Sequence, residues 1–253
     1  MARVALLTGR GGSSLKDKNI RPIFNVPVLG YAASAARSSG VFDYFFCSSN
    51  DQRILDVARN YDFEPIARPD SLSQADSLHI HAIEHAIEVI EALSIEVTEL
   101  FVFLANNVCT TKKMITQAFS ILEADKECTS VVPLYRENDR NPLRAFTKSR
   151  DSYLTPFVDR SETDFVSSNR QELKPSFFLC HNFWAISVAN QRPTWNGYYP
   201  WRFLGNKVRG LEVGELTDIH TDVDLLTSAD WIRKNKRELS VDINESNNAG
   251  ENG

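Results

Sequence analysis

The sequence has no long apolar run and no excess of positive charge, and both absences limit what the protein can be. No stretch approaches the roughly 20 apolar residues of a membrane span, and the first residues lack the apolar core of a signal peptide. The formal net charge is -5 at pH 7, whereas a broad nucleic-acid-binding surface needs excess Lys and Arg to displace counterions from phosphates. We therefore expect a cytoplasmic protein that binds neither a membrane nor a nucleic acid.

Cysteine is also scarce. The four cysteines, at positions 47, 109, 128 and 180, form no CxxC pair of the kind that zinc binding or redox chemistry uses. Cys180 precedes His181 and Asn182, and these three residue types together make a cysteine-hydrolase triad. Neighbouring residues of a strand point to opposite faces, however, so Cys180 and His181 would not share a proton. We expect buried or half-buried free thiols.

Short apolar runs alternate with amphipathic segments in the first half of the chain. The runs predict strands and the segments predict helices. The predicted strands are Val4–Thr8, Tyr44–Ser48, Glu64–Ala67, Leu100–Leu104 and Ser130–Pro133, and the predicted helices are Pro27–Ser39, Asp51–Tyr61, Ser77–Leu93 and Thr111–Ala124. This alternation implies an α/β fold with a mostly parallel sheet and helices on both of its faces. Such sheets bind ligands beyond the carboxyl ends of their strands.

The second half of the chain is less regular. Residues 136–174 are polar and irregular, which predicts a small inserted subdomain. Phe177–Val188 predicts one further core strand, and Asp222–Lys234 predicts a closing helix. Residues 244–253 are polar and rich in Gly and Asn, which predicts a disordered tail. We therefore expect one domain over residues 1–243.

The loop after the first strand combines glycines with cations. Adjacent Gly11 and Gly12 let backbone N–H groups converge on an anion, and Arg10 and Lys18 bracket them with charges suited to a triphosphate. A P-loop is excluded because Lys18 does not follow a glycine. The dinucleotide fingerprint is poor because Ser14 replaces its third glycine. The loop therefore predicts a phosphate site, with a plain turn as the alternative.

An ordered set of motifs extends this pattern along the chain. It consists of Arg10-Gly11-Gly12-Ser13, Lys18-Asn19-Ile20, Pro27-Val28-Leu29-Gly30-Tyr31, Ser48-Ser49-Asn50-Asp51, Arg68-Pro69 and Asp218-Ile219-His220. In this order the motifs resemble those of the acylneuraminate cytidylyltransferases, which are the CMP-sialic acid synthetases, and of relatives that activate other nonulosonic acids and Kdo. The resemblance covers roughly residues 3–235. It implies a Rossmann-like nucleotidyltransferase fold and a homodimer in which the inserted region meets the partner.

The resemblance also implies a reaction and a set of binding residues. CMP would pass from CTP to the anomeric hydroxyl of a 2-keto-3-deoxy sugar acid, and pyrophosphate would leave. Arg10 and Lys18 would hold the triphosphate and stabilise the leaving group. The implied nucleotide-binding residues are Gly11, Gly12, Ser13, Asn19, Arg68 and His79, and the sugar-binding candidates are Asn106, Asn107, Arg144, Arg170, Gln171 and Asn182.

Magnesium is the cofactor that the resemblance implies. The family carries an Asp-x-Asp pair for it, and Asp218-Ile219-His220 stands at the matching position. In a strand, Asp218 and His220 would both face the site. His220 replaces the second carboxylate, so it would bind through water, accept the sugar proton or favour a softer ion such as Mn²⁺.

Two departures from the family pattern concern the substrate sites. The loop from Arg10 to Lys18 is one residue shorter than the usual family spacing, and Ala105 stands where the family has a glutamine that faces the substrate. We therefore expect an altered sugar pocket and do not identify the substrate as sialic acid. A catalytically inactive nucleotide-binding homologue and a Rossmann-type oxidoreductase are the alternative functions.

Overall fold

The structure, a computed structural model, describes residues 2–12, 15–158 and 166–244 of the chain. Its strands are β1 Ala2–Thr8, β2 Pro22–Ile23, β3 Val26–Pro27, β4 Tyr44–Ser49, β5 Glu64–Ala67, β6 Val97–Leu104, β7 Ser130–Glu137, β8 Phe146–Lys148, β9 Leu154–Pro156, β10 Ser176–Leu179, β11 Phe183–Ser187 and β12 Val208–Glu212. Its α-helices are α1 Val28–Ser39, α2 Gln52–Arg59, α3 His79–Glu91, α4 Lys112–Ala124 and α5 Asp222–Lys234. In the part of the chain so described, no α-helix is long and apolar enough to cross a membrane.

An eight-stranded sheet lies at the centre of the molecule. Across it the strands follow the order β12, β7, β11, β6, β1, β4 and β5, and β10 pairs with the far end of β7. Neighbouring strands β6, β1, β4 and β5 are parallel, and β12 is parallel to β7. Strands β10 and β11 are antiparallel to their partners. The predicted α/β class with a mostly parallel sheet is therefore confirmed.

Alternate residues of the central strands pack on opposite faces of the sheet. Phe101 and Phe103 of β6 share one apolar cluster with residues of α1, α2 and α4. Leu100 and Val102 share a second cluster with Ile83 and Ile87 of α3. Helices therefore cover both faces, as the sequence predicted.

The predicted strand over Phe177–Val188 is wrong as a single element, because the structure divides it into β10 and β11. Leu179 pairs with Leu134, whereas Ala185 pairs with Val131, so the register on β7 shifts between the two strands. The residues at the break lie beside the end of β6, where the Leu104 N–H donates to the Asn182 carbonyl at 3.2 Å. The break therefore brings His181 and Asn182 to the edge at which the parallel strands end.

The inserted region contains a short antiparallel hairpin, β8 and β9. Asp139 and Arg170, near the two ends of the region, form an ion pair of 2.6 Å. Residues 159–165 of the region and residues 245–253 of the predicted tail lie outside the described part of the chain. Strand β12, with mostly exposed residues, was not predicted. The four cysteines are buried free thiols, as expected.

The predicted strand geometry at Asp218-Ile219-His220 is also wrong, because this segment belongs to no strand or helix. Ile219 is nevertheless fully buried, in a cluster with Val28, Val108 and Ile232. Its N–H donates to the Asn106 carbonyl at 2.9 Å. This anchor holds the segment against the residues that follow β6.

Candidate functional site

A cleft of about 470 Å³ opens at the carboxyl edge of the sheet. The strands β1, β5 and β6 end there, and β11, which runs the opposite way, begins there. Among the charged, polar and aromatic residues that line it are Arg10, Lys18, Asn19, Arg68, His79, Asn106, His181, Trp184, Trp201, Asp218 and His220. This is the edge at which parallel α/β sheets bind their ligands.

The charge of the cleft is opposite to that of the whole chain. Arg10, Lys18 and Arg68 line it, and among the described lining residues Asp218 is the only carboxylate. The chain as a whole has a formal net charge of -5. Cations gathered in a concave site of an acidic protein create a local potential that attracts anions.

Arg68 connects the ends of three neighbouring strands. Its Nε donates to Ser48 Oγ at 3.0 Å, and its Nη2 donates to the carbonyls of Ser48 at 2.6 Å and Gly9 at 3.4 Å. Burial lowers the pKa of Arg68 to about 10, so the side chain remains charged at neutral pH. Arg68 is therefore a fixed positive charge on the floor of the cleft.

The glycine loop is held from both sides. Arg10 Nη1 donates to the Gln74 carbonyl at 2.5 Å, and the Gly11 N–H donates to Asn50 Oδ1 at 3.1 Å. Gly12 has a φ of +65°, a left-handed conformation that glycine adopts without the penalty of a Cβ. The loop therefore turns at Gly12, and its Gly11 N–H is already occupied by Asn50. Ser13, predicted to bind nucleotide, lies outside the described residues.

Lys18 faces the segment that carries Asp218. Its Nζ lies 3.4 Å from Nδ1 of His220. Burial lowers the pKa of Lys18, Asp218 acts in the opposite direction, and Arg10 adds to the lowering. A bound anion would oppose this lowering, because it favours the charged ammonium.

Asp218 supplies the negative charge in the cleft that Arg10, Lys18 and Arg68 also line. Burial raises its pKa, while a hydrogen bond from Asn107 and the nearby His181, His220 and Lys18 oppose the rise. Within the described residues, no cluster of three or more His, Cys, Asp or Glu side chains could hold a metal ion. One carboxylate beside a phosphate site is nevertheless a common way to hold a hard divalent cation, which takes its other ligands from phosphates and water.

Aromatic rings form a further wall of the cleft. The centroid of Trp184 lies 5.3 Å from that of His79 and 5.8 Å from that of His181, both edge to face. Trp201 lies 5.2 Å from His181. His79 is an exposed residue that lines the cleft, yet the loss of water to the surrounding protein, with help from Arg68, lowers its pKa to about 4. His79 is therefore neutral at pH 7.

The structure brings together most of the predicted nucleotide and metal residues. Those that line the cleft are Arg10, Lys18, Asn19, Arg68, His79, Asp218 and His220, together with Asn106 from the sugar set. Gly11 and Gly12 lie in the adjoining loop, beside Lys18 and Asn19. The loop from Arg10 to Lys18, although one residue shorter than the usual family spacing, thus still brings both residues to one cleft.

The other predicted sugar-binding residues do not line the cleft. Asn107 and Asn182 are fully buried, which corrects the prediction that they contact a ligand directly. Asn182 Nδ2 instead donates to the Cys109 carbonyl at 3.1 Å. Arg144, Arg170 and Gln171 lie in the inserted region, where both arginines bond to Asp139.

Of the eleven cleft side chains named above, three were not predicted as functional, namely His181, Trp184 and Trp201. The sequence pattern presented His181 only as part of an excluded hydrolase triad. Their ring contacts join β11 to a distant loop, and nothing in the local sequence pattern signals such a contact.

Comparison with known proteins gives one family and several relatives. The model of the family described as cytidylyltransferase matches residues 4–183. A pseudaminic acid cytidylyltransferase of Campylobacter jejuni serotype O:23/36 is 32% identical over 94 residues, which is 36% of this chain and 40% of that protein. An N-acylneuraminate cytidylyltransferase of Escherichia coli O18:K1:H7 is 21% identical over 98% of this chain and 56% of that protein. The chain thus matches less than two thirds of the length of either relative.

Solved structures share the fold. A CMP:2-keto-3-deoxy-manno-octonic acid synthetase complexed with CTP superposes with a TM-score of 0.65 and 11% identity, over 92% of this chain and 99% of the other. A 4-diphosphocytidyl-2C-methyl-D-erythritol synthase from Anaerococcus prevotii gives a TM-score of 0.56 and 12% identity, with the same coverage. At these identities the likeness establishes the architecture alone.

The lowered pKa of His79 predicts a pH dependence of stability. An unfolded chain protonates this histidine near pH 6.5, whereas the folded protein does so only at about 4. The unfolded state therefore binds more protons within this window, and stability falls as the pH falls through it. We expect the free energy of unfolding of His79→Gln, measured in urea, to fall less steeply than that of the wild type between pH 6.5 and 4.

The comparison of His79→Gln with the wild type has an internal control. Between pH 7 and 8 His79 is neutral in both states, so the two proteins should show parallel profiles. Parallel profiles through the acidic window as well would contradict the account of His79.

Proposed function

The chain belongs to the cytidylyltransferase family, and from this premise we propose that it transfers CMP from CTP to the anomeric hydroxyl of a 2-keto-3-deoxy sugar acid, releasing pyrophosphate. The observation that carries the proposal is the cleft at the carboxyl edge, which three cations and a single carboxylate line together. Two relatives are named as cytidylyltransferases of pseudaminic acid and of N-acylneuraminate. These names support a nonulosonic or Kdo-like acid as the acceptor. Because the reaction consumes CTP, we also propose a cytoplasmic location.

The phosphate side of the site would act by alignment and charge neutralisation. Nucleotidyl transfer of this kind needs little covalent chemistry from the protein, and we propose in-line attack without a covalent intermediate. Lys18 and Arg10 would contact the triphosphate. Gly12 would supply a backbone N–H, and Gly11 would supply one by exchanging its bond to Asn50 Oδ1 for a bond to a phosphate oxygen. Lys18 would stabilise the negative charge that develops on the leaving pyrophosphate. Its burial strengthens this effect, because charges interact more strongly where water is excluded.

The opposite side of the cleft would hold the base. Arg68 is fixed by Ser48 and Gly9, and His79 is a neutral imidazole in front of Trp184. A neutral imidazole can both donate and accept a hydrogen bond, so it can pair with the polar edge of cytosine. Asn19, whose Nδ2 donates to the Arg10 carbonyl at 3.1 Å, would fix the loop between base and phosphates.

We propose Mg²⁺ as the cofactor, with Asp218 as the protein's carboxylate ligand. The cation would reduce the repulsion between the phosphates and the incoming hydroxyl. Nδ1 of His220 lies next to Nζ of Lys18. We therefore propose that His220 interacts with Lys18 in the first place and ligates the cation only in the second. Mn²⁺ is the second candidate because imidazole suits a softer ion.

We further propose that the protein acts as a homodimer through the inserted region. Apolar side chains are exposed there, with Leu154 61% and Phe157 65% accessible, together with Phe146 and Tyr153. Contiguous exposed apolar surface on a globular protein commonly marks an interface. Arg144 and Arg170 lie on the same region, so a second copy of the chain would be the means by which they reach a cleft.

A pyrophosphate-release assay tests the reaction directly. We expect release with CTP and at least one acid among Kdo, 8-amino-Kdo, sialic, legionaminic and pseudaminic acids, because the cleft combines a phosphate site with room for an acceptor. UTP or ATP should support slower release. Faster release with UTP or ATP throughout would contradict the assignment. CTP binding without release would identify an inactive homologue, and thermal protection by NADH but not CTP would indicate an oxidoreductase.

The role of Lys18 can be tested against a matched lysine of the same loop. Lys18→Gln should lower kcat by about 100-fold or more, the range for removing one preorganised charge stabiliser. Lys16 is exposed, so Lys16→Gln should retain the wild-type kcat. Steady-state pyrophosphate release measures both. Equal losses in the two variants would contradict a specific role for Lys18.

The dimer can be tested by adding charge to the apolar surface. Light scattering after size exclusion should show a dimeric wild type and a monomeric Leu154→Asp/Phe157→Asp variant, because two buried carboxylates oppose association. Leu226 on α5 is 72% exposed, so Leu226→Asp is the control and should remain dimeric. A monomeric wild type, or a dimeric double variant, would contradict this interface.

A further inference from the structure

Asn107 is a polar residue buried behind the cleft. It follows β6 by three positions and is 0% exposed, so it contacts neither solvent nor a ligand in the cleft. A fully buried amide must find hydrogen-bond partners inside the protein, because an unpaired one is costly. The partners of Asn107 therefore indicate what the side chain does.

The orientation of the Asn107 amide is fixed by its neighbours. The backbone N–H of Cys109 donates to Oδ1 at 2.7 Å. Because an N–H can only donate, the oxygen must face Cys109 and the Nδ2 group must face the other way. Nδ2 there donates to Oδ1 of Asp218 at 2.8 Å, and lies 3.5 Å from the Thr217 carbonyl.

Asp218 has no regular secondary structure to hold it. Its neighbour Ile219 is fixed by the bond to the Asn106 carbonyl and by burial, which places the backbone but not the carboxylate. The bond from Asn107 restrains the carboxylate itself, through Oδ1, in a residue that lines the cleft. A hydrogen bond to an ionised group is stronger than a neutral one.

We propose that Asn107 is the positioning residue of Asp218: it acts through that carboxylate and touches neither substrate nor cation. The inference rests on the proposed function in one respect, that Asp218 holds the divalent cation. Residues that orient a metal ligand in this way typically contribute about 10- to 100-fold to metal affinity or activity.

Asn107→Asp isolates the bond to Asp218. The variant keeps an oxygen for the Cys109 N–H but replaces the Nδ2 donor with a second oxygen, which repels the Asp218 carboxylate. Asn141 offers a matched control, because it is 4% exposed, its Oδ1 accepts from the Leu143 N–H at 3.0 Å and its Nδ2 donates to the Lys174 carbonyl at 2.8 Å. Asn141→Asp makes the same chemical change away from the cleft.

The measurement is a titration with Mn²⁺ as probe, followed by electron paramagnetic resonance with CTP present at pH 8. Asn107→Asp should weaken Mn²⁺ binding by about 10- to 100-fold and raise the KM for Mg²⁺, whereas Asn141→Asp should match the wild type. Wild-type affinity in a folded Asn107→Asp protein would overturn the proposal. If that variant does not fold, Asn107→Ser removes the same donor without adding a charge.

Hydrogen exchange of residues 214–220 without ligands separates this inference from the proposed function. Asn107→Asp should speed exchange in that segment more than Asn141→Asp does, because the segment loses its side-chain restraint. If the wild type binds no Mn²⁺ with CTP, the proposed metal site fails, and the exchange result then decides the role of Asn107 alone. Exchange unchanged from the wild type would overturn that role.

Discussion

The site depends on one constraint, the partial burial of charges of opposite sign at the carboxyl edge of the sheet. Burial lowers the pKa of Lys18 and of Arg68 and raises that of Asp218. Each shift favours the neutral form, because water is replaced by protein around a charge. A polyphosphate bound with a divalent cation would reverse these shifts, since it supplies negative charge to the cations and positive charge to the carboxylate. The metal–nucleotide complex that we propose would therefore complement the charges of the site.

The fold maintains this arrangement by joining residues that are far apart in sequence. Arg68 bonds to Ser48 and Gly9 across three strands. Asn107 bonds to Asp218, and Asn106 fixes the backbone of Ile219. The parallel strands place all of these partners at one edge, so the site needs few residues from any single segment. Precise placement of this kind matters most in reactions that depend on alignment.

The sequence predicted those features that have a local cause. Helices and central strands follow from apolar periodicity, and Arg10 and Lys18 stand out because they bracket adjacent glycines. The break between β10 and β11 and the edge strand β12 depend on pairing with β7, which no local pattern records. For the same reason asparagines were difficult to interpret. An amide can bind a sugar, or it can hold a carboxylate as Asn107 does, and only its neighbours in space distinguish the two roles.

The central claim is that the cleft holds the triphosphate of CTP between the glycine loop and Asp218. A crystal structure of the protein with CTP and Mg²⁺ tests it most directly. The account predicts phosphate oxygens within hydrogen-bond distance of Lys18 Nζ and of the Gly12 N–H, with a phosphate oxygen in place of Asn50 Oδ1 at the Gly11 N–H and the cation between the phosphates and Asp218. A nucleotide bound outside this cleft, or one whose phosphates point away from Lys18, would contradict it.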